Sequence, residues 1–375
     1  METIIKEAVT RKELLQFIKF PDRLYRKNKY YVPPLHSGEL NNLSKKSNPA
    51  FEFCEAKYWL AYQNNEIVGR IAGIINHKFN DKIGKKTVRF SWLDFVEDIA
   101  VLQKLLETVE LWSRQWDAEY IHGPLGFSSL DSPGMLVEGF EELPIFVGKY
   151  NFPYYPVMMD KLGFKKEVDW VEYNVKVPAI VPEKYLRASA VVMERYNLHC
   201  PRIKNKRDLL QYADGVFALL NQAYGHIFAF TELSEKQVEK LKKQFFPMLR
   251  PDFVSIVLDS SNRVVGFAIS IPSLSKAFQK AKGRLFPFGL ISIMRALRKN
   301  DTLDTLLIGV DKHYKEKGVT AIIFSEIGKA IMKNGIKYIE TSRELEHNRN
   351  VQNLWNKFEP RQHKRSRCYI KPLGS

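Results

Sequence analysis

An α/β fold built twice is what this sequence predicts: two tandem domains, each a mixed β-sheet, parallel at its centre and flanked by helices. Three observations predict it. Local patterns recur once along the 375 residues at an offset of about 195. Each copy carries a hairpin signal near its start. Each copy then runs strand, helix, strand, an order that favours parallel pairing at the centre of a sheet.

The first repeated element is a helix, Glu13-Leu14-Leu15-Gln16-Phe17, which returns as Asp208-Leu209-Leu210-Gln211-Tyr212. Next comes a hairpin. Apolar Tyr58 to Tyr62 leads through the polar turn Gln63 to Glu66 into Ile67 to Ala72, and the same device recurs as Val254 to Leu258, Asp259 to Arg263 and Val264 to Ile269. In the first copy Thr87 to Phe95 reads as a strand. Val101 to Trp116 follows with Leu102, Leu105, Leu106, Val109 and Trp112 at helical spacing, and Tyr120-Ile121 opens another strand. The second copy has a strand over Thr305 to Val310, a helix over Ala321 to Met332 closed by Asn334-Gly335, and a strand over Ile336 to Glu340. Last, Met158 to Phe164 is matched by Leu354 to Pro360. Between Val177 and Cys200, Val-Pro-Ala-Ile-Val-Pro interrupts the pattern, so domains are expected over 1–185 and 195–375.

Composition narrows the classes of function. With 45% hydrophobic residues, no apolar run long enough to span a bilayer and no basic-then-apolar leader, the chain reads as unexported, cytoplasmic and without a transmembrane segment. Cys54, Cys200 and Cys368 are odd in number and lack metal-ligand spacing, so free thiols are expected, and no metal site. The formal charge of +16 calls for an anionic partner: nucleic acid, a membrane surface or a phosphorylated cofactor. The densest basic run, Arg361 to Arg367, reads as a solvated strand edge or turn. An insert unique to the second copy, Ala277 to Lys299, is apolar and flanked by bases. Burial against the first domain is the expectation there, and a lid or membrane-surface helix the alternative that allows peripheral membrane contact.

Chemistry concentrates in Leu306 to Ile323. An apolar strand ending at Val310 runs into the basic loop Asp311-Lys312-His313-Tyr314-Lys315-Glu316-Lys317, and Gly318 opens an apolar helix. Free N–H groups at such a helix start bind phosphate, and the lysines deepen the local positive field. The corresponding place in the first copy, Asp94-Phe95-Val96-Glu97-Asp98, carries three acids and no glycine, a combination that repels a diphosphate.

This segment resembles the cofactor loop of the GNAT superfamily of N-acyltransferases. Val310, Tyr314, Lys317 and Gly318 match that family's pattern, Lys315 and Val319 are conservative departures, and Lys312 and Thr320 replace a proline and a glycine. Asn348 to Phe358 is similar to the helix that follows in the same family. The resemblance, extended by the repeat, implies two tandem GNAT-like domains with acyl-CoA, in the first instance acetyl-CoA, bound by the second alone. It places the cofactor on Ile308, Val310, Lys315, Lys317, Gly318, Val319, Thr320 and Asn348. It also implies transfer to a small-molecule or peptide amine, with Glu340 or Glu346 as base, Glu344 and His347 being further candidates beside them. The tyrosine that serves the family as acid is Trp355 here, which leaves Tyr314 and Tyr369 as substitutes. In the first copy the loops with Ser128, Asp131, Tyr150, Asn151 and Tyr154 have the composition of a substrate-facing surface. Two other activities suit the same fold: aminoacyl transfer from tRNA, as in Fem-type transferases, and non-catalytic binding of an acyl-CoA or small molecule.

Overall fold

The structure is a computed structural model that describes residues 2–355 and 358–374; Asn356 and Lys357, which belong to the last-helix match, and the side chain of Asn350 lie outside the described residues. The first half runs β1 (Ile4–Glu7), α1 (Arg11–Leu24), α2 (His36–Leu43), β2 (Cys54–Gln63), β3 (Glu66–Asn76), α3 (His77–Ile83), β4 (Thr87–Phe95), α4 (Ile99–Ser113), β5 (Tyr120–Gly123), β6 (Met135–Glu138), α5 (Tyr154–Lys161) and β7 (Lys165–Lys176). After α6 (Glu183–Arg195) the second half runs α7 (Lys206–Tyr224), α8 (Glu235–Phe245), β8 (Val254–Leu258), β9 (Val264–Pro272), α9 (Ser275–Ala281) and α10 (Phe288–Arg298). It closes with β10 (Thr302–Val310), α11 (Val319–Asn334), β11 (Tyr338–Glu340), β12 (Glu344–Leu345), α12 (Arg349–Trp355) and β13 (Arg361–Pro372).

The duplication reaches down to the helix caps. Thr10 and Glu13 form a capping box on α1, and Asn205 and Asp208, at the same offset, form one on α7. Both hairpins form, and each passes its second strand antiparallel to the next, β3 to β4 and β9 to β10. Parallel pairing is confined to the centre of each half, β4 with β5 and β10 with β11, where α4 and α11 supply the crossovers. Apolar faces of those helices cover the sheet: Val101, Leu105 and Val109 on α4, Val319, Ile323 and Ile327 on α11.

The two sheets are continuous because the halves exchange their last strands. In the order β1-β2-β3-β4-β5-β13-β7-β11-β10-β9-β8, β13 of the second half pairs with β5 of the first, and β7 of the first pairs with β11 of the second. β7 and β13 lie side by side, antiparallel, at the seam. The run Arg361 to Arg367 is therefore neither edge nor turn but a central strand, with Lys364 only 2% exposed. Acids bring that about: Glu142 pairs with Arg361, Glu172 with Lys364, and Asp169 with both Arg365 and Arg367. Such pairing offsets the cost of taking these cations out of water. Where the sequence breaks between its repeats, α6 packs along α11 through Val192 and Met193. Of the three free cysteines, Cys54 and Cys368 are buried. No helix among the described residues is long and apolar enough to cross a membrane.

Strand exchange makes each half depend on the other. Residues 1–187 and 188–375, expressed as separate chains, are expected to aggregate or remain unfolded, since each loses a strand and exposes the partners of β7 or β13. Soluble, monomeric fragments that unfold cooperatively would contradict this. A second expectation concerns Asp304 on β10, fully buried, with neither carboxyl oxygen in hydrogen-bond geometry with another described group. Burial, with Glu340 adding, pushes its pKa from 3.8 up to about 8. The folded state then binds a proton the unfolded state lacks, so stability falls as pH rises from about 4 to about 8, on the order of a few kcal/mol. Asp304→Asn is expected to raise the melting temperature near neutral pH and to flatten this slope; an unchanged slope would exclude Asp304 as its origin.

Candidate functional site

β10 and β11 pair only from Thr302 to Asp304 and then diverge. A cavity of about 1150 Å³ opens there, with Leu306 to Val310 on one side and Ser342 to Leu345 on the other, and it runs between the two halves of the molecule. Its walls are chiefly apolar: Ile145, Phe146, Phe245, Leu249 and Phe278 are among them.

In the first half the matching divergence, beyond the pairing of Thr87–Arg89 with Tyr120–His122, is filled by the protein itself. Leu125 N–H donates to Phe90 O at 2.9 Å, Phe95 N–H donates to the Tyr155 hydroxyl at 3.0 Å, and the Tyr154 hydroxyl donates to Phe95 O at 2.5 Å. The helix starts differ in the same sense. On α4 the Asp98 carboxylate accepts from Ala100 N–H, so an acid of the chain already takes the place an anion would. On α11 no side chain among the described residues caps the start, and Gly318 holds φ +80°, a left-handed turn that glycine makes without strain. The Gly318, Val319 and Thr320 amides at this start are thus not taken by a side-chain cap among the described residues.

Deeper in the cavity, β12 presents Glu344. Trp355 donates its indole N–H to Glu344 Oε1 at 2.7 Å, and Oε2 has no hydrogen-bond partner among the described residues. Burial raises the Glu344 pKa to about 8; the Trp355 bond opposes the shift and Glu172 adds to it. Across the cleft, the Tyr224 hydroxyl from α7 donates to Ile308 O at 3.1 Å and accepts from Ile308 N–H at 3.3 Å. Burial lifts its pKa to about 12, so it holds its proton at neutral pH. Ile308 faces Ala268, and Val310 faces Gly266, two steps further along the same antiparallel ladder. Alternation therefore turns the Val310 amide into the cleft as well, away from β9.

The sequence-derived candidates divide between this cavity and places outside it. Ile308, Val310, Lys315, Thr320 and Asn348 line the cavity. Lys317, Gly318 and Val319 stand at the α11 start beside it, the Lys317 ammonium lying 4.5 Å from the Tyr314 ring centre and 5.1 Å from that of Tyr196. Glu340 and Glu346 do not line the cavity. Glu340 accepts from Asn174 at 2.6 Å and pairs with His363 at 2.9 Å, whereas Glu346 is held by Lys166 and Arg365. Tyr314 is likewise outside, its ring under Lys317, and Tyr369 is buried in the first-half core. Of the first-half loop residues, Ser128 and Asp131 face the cavity but are tied in one turn, Ser128 N–H donating to Asp131 Oδ2. Tyr150 and Asn151 also border it, yet Asn151 spends its amide on the main chain of Leu136 and the Tyr150 hydroxyl accepts from Asn28. Tyr154 lies off the cavity, on Phe95. The polar lining also includes the Arg343–Glu172 pair, Tyr224, which has no local sequence signal, and Lys149, whose ammonium sits 4.6 Å from the Trp92 ring centre with no hydrogen-bond partner among the described residues.

No family model matches the chain. It is 24% identical over 377 residues to Protein YghO of Escherichia coli, covering 99% of this chain and 95% of that protein. It is 25% identical over 311 residues to the bacterial ceramide synthase of Caulobacter vibrioides, covering 81% of this chain and 79% of the other. Among solved structures, a tandem GNAT protein from the clavulanic acid biosynthesis pathway superposes with a TM-score of 0.58 at 11% identity, covering 100% of this chain and 99% of that one. The glucosamine N-acetyltransferase region of a fungal multi-domain β-N-acetylglucosaminidase gives 0.58 at 14% identity, over 99% of this chain and 38% of the other. A GCN5-related N-acetyltransferase from Sphaerobacter thermophilus gives 0.53 at 8%, over 99% and 95%.

Proposed function

We propose, on the premise that this chain has the tandem GNAT fold, that it is an acyl-CoA-dependent N-acyltransferase whose single site lies in the second half. The observation that carries the reading is Glu344, a buried carboxylate in the lining of the cavity where β10 and β11 part, with one oxygen fixed by Trp355 and the other without a hydrogen-bond partner among the described residues. The residues at hand fit an acyl-CoA: a left-handed glycine before an uncapped helix, with Lys315 and Lys317 adjoining, suits a diphosphate. Bound there, an acyl-CoA supplies a thioester carbonyl activated toward amines. Glu344 removes a proton from the acceptor amine, Val310 N–H offers a hydrogen bond to a carbonyl oxygen in the cleft, and Tyr224 holds the proton a leaving sulfur needs. Trp355 takes a positioning part in place of the family's acid, keeping the base in one orientation.

The cavity favours a long acyl chain or a long-chain acceptor over the acetyl transfer expected from the sequence, because its apolar walls continue well past the cleft. The Caulobacter relative is named a ceramide synthase, and a ceramide is an N-acylated long-chain amino alcohol, which agrees with this preference. Transfer from tRNA is less favoured, since the densest basic run is consumed in ion pairs inside the sheet. A thiol-release assay with acetyl-CoA and palmitoyl-CoA, over amines of short and long chain, tests the reading. Release that requires an amine and is faster with a long chain on either partner is expected. Tight CoA binding with no release for any pair would replace it with a binding role.

A further inference from the structure

Within the second-half insert, α9 and α10 have opposite fates. α9 is buried against the first half: Phe278 packs on Phe146, Ser275 donates to Pro144 O, and Gln279 donates to the carbonyls of Lys29 and Tyr31. α10 buries only Gly289, Ile293 and Leu297. Its other side and the turn before it carry Phe286 at 70% exposure, Phe288 at 75%, Ile291 at 47% and Met294 at 43%. Two phenylalanines so far in water form an apolar patch that a chain folding alone does not need.

The charges around the patch say what covers it. From Ser275 to Asn300 the chain has seven basic residues and no acidic one. Lys282 and Arg284 lie exposed before the helix, and Arg295, Arg298 and Lys299 near its end. None of the seven forms an ion pair among the described residues, in contrast to the arginines of β13. Apolar residues that project between unpaired bases match an anionic lipid surface, where the rings enter the acyl boundary and the cations meet the head groups. We infer that α10 and the Phe286–Phe288 turn dock this protein on the surface of an anionic membrane. The inner face of α10 then has a second part to play. Ile293 and Leu297 belong to one packed cluster with Phe146, Phe278 and Leu249, which are walls of the cavity. The docked face thus lies directly behind the space proposed for a hydrocarbon chain. Docking does not depend on the acyl-transfer reading, and a binding assay separates the two.

Vesicle flotation of the full-length chain tests the inference, with phosphatidylcholine alone and with phosphatidylglycerol added. Wild type is expected to float with anionic vesicles and much less with neutral ones. Phe286→Ser combined with Phe288→Ser should lower the partition coefficient about tenfold or more, because two rings no longer leave water. Arg295→Glu combined with Arg298→Glu should remove the preference for anionic lipid, each base near such a surface being worth about fivefold. Both variants change exposed side chains, and an unaltered melting temperature shows that they fold. Equal flotation of the serine variant and wild type, or failure of wild type to float, would overturn the inference. So would a dimer in sedimentation velocity that the serine variant disperses, which would assign the patch to a second copy of the chain.

Discussion

Glu344→Gln will slow acyl transfer by about two to three orders of magnitude, the usual worth of a positioned general base, and leave acyl-CoA affinity nearly unchanged. Glutamine keeps an oxygen for the Trp355 indole, so the side chain stays where it is and loses only its ability to take a proton. Wild-type activity carries the signature of the same group. With its pKa near 8, Glu344 is largely protonated and idle at pH 6, and the rate should climb as pH rises through about 8 before levelling. The glutamine variant should lose that rise. Glu340→Gln and Glu346→Gln should have small effects, because neither carboxylate lines the cavity, Glu340 lying against Asn174 and His363 and Glu346 against Lys166 and Arg365. A full rate in Glu344→Gln, measured by thiol release at saturating donor, would move the base elsewhere.

Gly318→Glu will weaken acyl-CoA binding by about a hundredfold or more. A side chain at φ +80° costs about 1–2 kcal/mol in backbone strain, and its first carbon would stand 3.1 Å from Val192 of α6. The carboxylate then adds repulsion where the amides of α11 await a diphosphate. Gly318→Ala separates these causes: it brings the strain without the charge and should weaken binding less, by about tenfold. Calorimetric titration with CoA reads both. Unchanged affinity in a folded Gly318→Glu protein would remove the site from the start of α11.

What the sequence made legible was local. The duplicated helix, the hairpins and the strand–helix–strand order are carried by spacing within a few turns, and the caps at Thr10 and Asn205 follow the same offset. The glycine before α11 was legible for the same reason. Strand exchange was not, because nothing near Arg361 states that its partners are Asp169, Glu172 and Glu142, some two hundred residues earlier. A basic run without its acids reads as surface. Glu344 stood in the sequence as a candidate beside Glu340 and Glu346, but residues 341–343 between β11 and β12 are not regular strand, so alternation cannot be counted across them to say which carboxylate lines the cavity. Tyr224 was out of reach, since it meets Ile308 across 84 residues and two packed layers.

The placement of an acyl-CoA between the halves is tested most directly by a diffraction structure of the chain with a non-hydrolysable analogue of palmitoyl-CoA. One ligand per chain is expected, its diphosphate on the Gly318–Thr320 amides, its sulfur position between β10 and β11 beside Glu344, and its hydrocarbon chain inside the cavity between the halves. A diphosphate bound away from the start of α11, or a hydrocarbon chain lying outside that cavity, would contradict it.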